Sequence, residues 1–245
     1  MGYYVQWIRS LLFVGQMYFS MLIIGLLFAP WAFLSIKGAY AAIHFFCWWV
    51  RWTARWMVGL KSEIRGTPPT GEVLLAAKHQ SFFDIILITS VIPAPRFIMK
   101  SSLRHAPILG QFANRIGCVA VDRGKKTEAI RQMIDGVMAE NQPKGQLVIY
   151  PQGTRVAPGA ARSYKVGINV LYEETGQTVV PAATNVGVFW PRIGIYRKPG
   201  LAVVEFLEPI EPGLERAEFM ERLEQLVEGR SNDLMREAGF DQLPS

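Results

Sequence analysis

Glu72-Val-Leu-Leu-Ala-Ala77-Lys78-His79-Gln80-Ser81-Phe82-Phe83-Asp84 is the stretch that decides how this chain folds. Glu72 to Ala77 has the length and apolar content of a buried strand, and Ile85 to Ile92 after it reads as a helix. His79 and Asp84 therefore fall where a strand hands over to a helix, the place where α/β proteins usually set their chemistry. Five positions on a straight helix would turn the two side chains off one another's face, so the spacing predicts His79 just before the helix and Asp84 in its first turn. A neutral imidazole takes a proton from an alcohol near neutral pH, and a carboxylate on its far nitrogen fixes the tautomer. The same residues also form a capping box, Ser81-Phe-Phe-Asp84, which would hold Asp84 beside the loop that carries His79. Ser81 as a nucleophile has no G-x-S-x-G elbow around it.

Working outward toward the C-terminus, strand-like runs recur at Arg96 to Met99, Cys118 to Val121, Gln146 to Tyr150, Val179 to Ala183 and Leu201 to Phe206. Helical patterns lie between them at Lys125 to Glu140 and Val166 to Glu174, and Glu215 to Val227 puts Phe219, Leu223, Leu226 and Val227 on one face of an amphipathic helix. This alternation predicts an α/β fold: a central mixed, largely parallel sheet flanked by helices. Three of the runs end in polar clusters, Lys100-Ser-Ser-Leu103, Val121-Asp-Arg-Gly124 and Tyr150-Pro-Gln-Gly-Thr-Arg155. Parallel strands would bring all three to the sheet edge that carries His79. Gly153 allows close backbone approach, Thr154 donates a hydroxyl and Arg155 offers a planar fork, a set suited to an anion.

The N-terminal quarter is different in kind. Ser10 to Ile36 carries no charge and is long enough to cross a bilayer, although Pro30 inside it allows a helix that bends back to the same face. The charged flank before it is too thin, and the apolar region too long, for a cleaved signal peptide. Ala39 to Leu60 interleaves Phe45, Phe46, Trp48, Trp49, Trp52 and Trp56 with Arg51 and Arg55, the composition of a headgroup-layer helix. Residues 1–61 are thus assigned to N-terminal membrane-anchoring helices and 62–245 to the α/β domain with its C-terminal amphipathic helix. Lys37, Arg51, Arg55 and Lys61 outweigh Arg9, which places the domain on the cytoplasmic side if the first segment spans.

Composition agrees. Half the 245 residues are hydrophobic, and the net charge of +6 calls for an anionic partner. Acidic membrane fits better than nucleic acid, because the aromatics cluster in the apolar N-terminus and not among the basic loops. Cys47 and Cys118 lack metal spacing and read as small buried hydrophobes. Three histidines make a His-based metal site improbable; His44 reads as satisfied or interfacial, and His105, before Pro107, is a candidate to touch substrate.

Four blocks together resemble the glycerolipid acyltransferase family, which includes the 1-acyl-sn-glycerol-3-phosphate (lysophosphatidate) acyltransferases. His79-Gln-Ser-Phe-Phe-Asp84 is similar to its H-x4-D motif, Val121-Asp-Arg123 to its second block, Tyr150 to Arg155 to its third and Val180-Pro-Ala182 to its fourth, in the family's order, within Ser62 to Pro209. The third block departs at Gln152, where the family usually has Glu, and Ser102 stands where an acidic residue often follows the lysine.

The resemblance implies acyl transfer from acyl-CoA or acyl carrier protein to the free sn-2 hydroxyl of a lysophospholipid at a cell membrane, with no metal or cofactor. His79 would be the base and Asp84 its orienting partner. Lys100, Arg123, Gly153, Thr154 and Arg155 would hold the acceptor's phosphate, and Pro181 would shape the apolar side of the site. Alternatives left open are another acceptor, such as a lyso-ornithine lipid or lysophosphatidylglycerol, a Ser81 hydrolase, and a lipid-binding protein without chemistry.

Overall fold

The computed structural model describes residues 2–122 and 126–242. Within them lie the strands β1 (Leu60–Arg65), β2 (Val73–Ala77), β3 (Pro95–Lys100), β4 (Val119–Val121), β5 (Gln146–Ile149), β6 (Val179–Thr184) and β7 (Gly200–Phe206). They make one sheet in the order β1-β7-β6-β2-β5-β3-β4. Every pairing is parallel except that of β6 with β7. Strands β2 to β6 therefore run one way and end on one edge, as the strand-end clusters require. The central strands are buried on both faces, which is why they read as unbroken apolar runs.

Helices cover both faces. On one side α3 (Phe83–Thr89) packs with the N-terminal helices α1 (Tyr3–Leu34) and α2 (Ile36–Thr53) over Leu75, Ala77 and Val148. On the other, α5 (Lys126–Met138), α6 (Gly167–Thr175) and α7 (Arg216–Glu237) cover Leu74, Ala76 and Leu147. Tyr172 of α6 stacks on Phe219 of α7 with ring centroids 4.0 Å apart. A short α4 (Leu109–Arg115) follows β3.

Helix α3 ends at Thr89, three residues short of the predicted Ile92, and strand β1 and helix α7 also differ from expectation. The strand β1 begins at Leu60, inside the segment assigned to the N-terminal helices, and its sequence Leu-Lys-Ser-Glu-Ile-Arg is polar because it is an edge strand. Helix α7 runs ten residues past the predicted Val227. Its second half is polar but tied down, with Arg230 gripping Glu205 of β7 through two hydrogen bonds of 3.0 and 2.8 Å.

Helix α1 continues through Pro30 and stops at Ser35, an extended residue whose hydroxyl caps α2 by accepting the Lys37 N–H. The chain then reverses. A Cβ at Gly38 would lie 2.5 Å from the Trp31 carbonyl carbon, so the reversal needs glycine there. Gln6, Ser10, Phe13, Met17, Ile24 and Ala32, which with Gly25 are the buried residues of α1, form one helical stripe. That stripe is fixed to the body along its length. Gln6 Nε2 donates to the carbonyls of Val58 and Arg197 at 2.9 and 2.8 Å, and at the far end Arg115 Nε donates to the Ala32 carbonyl at 2.9 Å. A helix docked on the body at both ends lies alongside it. Arg51 also departs from its predicted headgroup position: it turns inward to the hydroxyls of Ser62 and Ser90, at 3.0 and 2.8 Å.

Candidate active site

His79 stands two residues beyond β2 and Asp84 in the first turn of α3, as the spacing predicts. Their side chains meet, His79 Nδ1 lying 2.9 Å from Asp84 Oδ1. The other carboxylate oxygen accepts the backbone N–H groups of Gln80 and Ser81, both at 2.8 Å. Asp84 is fully buried and every one of these partners is a donor, so it can only accept from His79. That puts the imidazole proton on Nδ1 and leaves the Nε2 lone pair available. The reciprocal half of the capping box is present one residue off its usual register, with Ser81 Oγ accepting the Phe83 N–H at 3.1 Å. Ser81 is fully buried and does not line the cavity described below, which removes it as a nucleophile.

Two further contacts hold His79. The His79 carbonyl accepts the Val156 N–H at 2.8 Å. The Tyr150 ring stacks on the imidazole, with centroids 3.9 Å apart and planes 19° from parallel. Burial, and then the neighbouring Asp84 carboxylate, hold the Tyr150 phenol well above its usual range, so it stays neutral. Its buried hydroxyl lies near enough to feel that charge yet meets no partner in hydrogen-bond geometry among the described residues. Tyr150 opens the third block, but nothing in the sequence announces a ring laid against His79.

His79 lines a cavity of about 460 Å³. Phe82, Ile85, Ile86 and Thr89 line it as one stripe of α3, so the apolar part extends about 10 Å away from the histidine at 1.5 Å per residue. Met21, Ile24 and Phe46 close it from α1 and α2. Cys47 and Cys118 also line it, and burial pushes their thiols up to about 12 and about 11, so both serve as small apolar groups. At the polar end stand Lys100, Thr154 and Arg155.

Gly153 adopts a positive φ of 69° and shapes the turn through its N–H to the Tyr150 carbonyl at 2.8 Å. Arg192, in the loop before β7, joins Arg155 on this rim. Each guanidinium donates to the other's carbonyl, at 3.3 and 3.4 Å, which locks the two loops together. An exposed Pro-Arg-Ile-Gly loop carries no pattern, so Arg192 has no signal in the sequence.

Not every expected residue arrives. Pro181 does not line the cavity, because it lies within β6, three residues before that strand's end at the active edge. It fits there since its missing N–H falls on the β7 side, one residue before the first β6–β7 pair, Ala182 with Phe206. His105 is exposed and off the cavity. Arg123 lies outside the described residues.

The model of the Acyltransferase family matches residues 61–185, just over half of the chain. The chain belongs to that family. Among curated acyltransferases, it is 26% identical over 202 residues to the 1-acyl-sn-glycerol-3-phosphate acyltransferase of Pseudomonas aeruginosa, covering 80% of this chain and 78% of that one. It is 25% identical over 191 residues to the enzyme of the same name from Saccharomyces cerevisiae, covering 75% of this chain and 63% of that one. The acyltransferase fold is shared with the crystal structure of the 1-acyl-sn-glycerophosphate (LPA) acyltransferase PlsC from Thermotoga maritima, with a TM-score of 0.76, 22% identity, and coverage of 93% of this chain and 97% of that one.

Proposed function

We propose that this acyltransferase moves a fatty acyl group from a thioester, acyl-CoA or acyl carrier protein, to the sn-2 hydroxyl of lysophosphatidate, giving phosphatidate. The observation that carries the reading is the His79–Asp84 pair set in the wall of an apolar cavity with Lys100, Arg155 and Arg192 at its polar end. His79 Nε2 takes the hydroxyl proton as the oxygen attacks the thioester carbonyl. The C–S bond then breaks, and the imidazolium returns the proton to the leaving thiolate. Asp84 stabilises the imidazolium formed between these steps. The three cations suit the acceptor's phosphate, and the curated relatives bear the name of this reaction.

The acceptor is a membrane lipid, and the outer face of the α1–α2 hairpin suits a bilayer: Leu27 is 73% and Phe33 84% exposed. We place the body on the cytoplasmic side, where anionic lipid attracts its net charge of +6. Transfer of labelled acyl groups to lysophosphatidate by the purified protein tests the proposal. The wild type should make phosphatidate, and His79→Ala should lower the rate by at least ~10²-fold, the usual scale of a general base. No phosphatidate from either donor class would overturn the acceptor assignment.

A further inference from the structure

Gln152 is the position at which the third block loses its family carboxylate, and the structure shows a carboxylate arriving at the same place from elsewhere. Lys78, the residue before His79, is only 3% exposed, and its ammonium pairs with Oε2 of Glu228 on α7. Glu228 Oε1 accepts Gln152 Nε2 at 3.1 Å and the Tyr164 hydroxyl at 3.0 Å. Gln152 is 1% exposed, and Nε2 also donates to the Arg162 carbonyl at 3.3 Å. Both amide protons are thus committed, while Oε1 is buried with no partner among the described residues.

The carboxylate of Glu228 sets the electrostatics at this point. Burial and the Glu228 carboxylate hold the Tyr164 phenol far above its usual range, so it remains a donor. One turn earlier on α7, burial and then Glu228 raise the Glu224 carboxyl, with Lys78 partly offsetting them. The buried Lys78 ammonium already pairs with Glu228, and the exposed Glu224 carboxyl feels both of them. A carboxylate at position 152 would set like charge against Glu228 Oε1, where the amide now donates a proton at 3.1 Å.

We propose that Glu228 is a positioning residue, supplying from α7 the carboxylate that the family carries in its third block, with Gln152 as the neutral half of an exchanged pair around Lys78. Glu228 does not line the cavity. It acts through Lys78, adjacent in sequence to His79, and through Gln152, two residues before Thr154. Its catalytic readout rests on the acyltransferase reading above.

A four-protein cycle tests it: wild type, Gln152→Glu, Glu228→Gln and the double exchange. Each single variant should lose about 10-fold in kcat, the scale of a slightly misplaced catalytic group, with the acceptor KM changed less than ~2-fold. The double variant should recover to within about 3-fold of wild type, because the neighbouring sites couple. The His79 imidazole titration, followed by NMR in a chain with three histidines, should move up in Gln152→Glu, down in Glu228→Gln, and back in the double. Unfolding temperatures should show the same rescue.

The outcomes separate. A wild type that ignores lysophosphatidate sinks the acceptor assignment alone, since the titration and the unfolding temperatures read the pair without any acceptor. Additive losses in the double variant overturn the exchange. Lowered unfolding temperatures with kcat and the His79 titration unmoved would make Glu228 a structural contact and overturn its positioning role.

Discussion

At the residue scale, His79 is held by three independent contacts, and they differ in how visible they are in the sequence. The Asp84 contact is legible, because a five-residue spacing at a strand-to-helix junction admits few other geometries. The Tyr150 stack is not, since it joins the ends of two strands more than 70 positions apart in the chain and needs the parallel register of β2 with β5 to bring them together. It also makes a prediction. Tyr150→Phe keeps the ring and removes a hydroxyl that has no partner in hydrogen-bond geometry, so activity should stay within about 3-fold of wild type, the change being buried but apolar. Tyr150→Leu frees the imidazole to rotate and should cost about 10-fold or more in kcat, with the protein still folded by circular dichroism. Equal losses in both variants would mean that the hydroxyl, and not the ring, is what His79 needs. Arg192 and Glu228 escaped the sequence for the same reason as the stack: each meets its partner across 37 and 150 residues respectively.

At the scale of elements, strands β2, β5 and β6 could be read directly because burial on both faces leaves a sequence of five, four and six residues with hardly a polar one among them. Edge strand β1 and the tail of α7 could not, since their polar residues are satisfied by tertiary partners that no local window contains. Helix α1 is the ambiguous case. Its apolar length passes as a span, while its inner stripe is docked on the body. Phe13 decides between the two. It is fully buried, packing edge-on against Trp190 with centroids 5.5 Å apart. Phe13→Ala should therefore destabilise the α/β body by about 3–5 kcal/mol, measured by denaturant unfolding in detergent. A helix that left the body to cross the bilayer would put Phe13 in lipid, and the substitution would then leave the body's stability nearly unchanged.

At the scale of the whole molecule, the α1–α2 hairpin has two jobs on opposite faces. Its inner face supplies Met21, Ile24 and Phe46 to the cavity wall, and its outer face carries the ring series Phe45, Trp48, Trp52 and Trp56, each in contact with the next at centroid distances of 5.5, 6.2 and 5.8 Å. Indole rings prefer the headgroup layer, so this row should set the depth at which the protein rests. Anchoring and the cavity wall are then carried by one hairpin. Membrane binding and acceptor delivery should consequently fail together. Replacing Trp48, Trp52 and Trp56 with Ser should weaken flotation with phosphatidylglycerol-containing vesicles by ~10-fold or more, given about 25 cal/mol per Å² of apolar surface withdrawn from water. The same variant should show a raised apparent KM for lysophosphatidate presented in vesicles, while its kcat/KM for acceptor dispersed in detergent stays near wild type. Loss of activity in detergent as well would show that the aromatic row supports the cavity itself. Unchanged flotation would mean that the exposed face of α1, from Tyr4 to Leu34, carries the membrane contact alone.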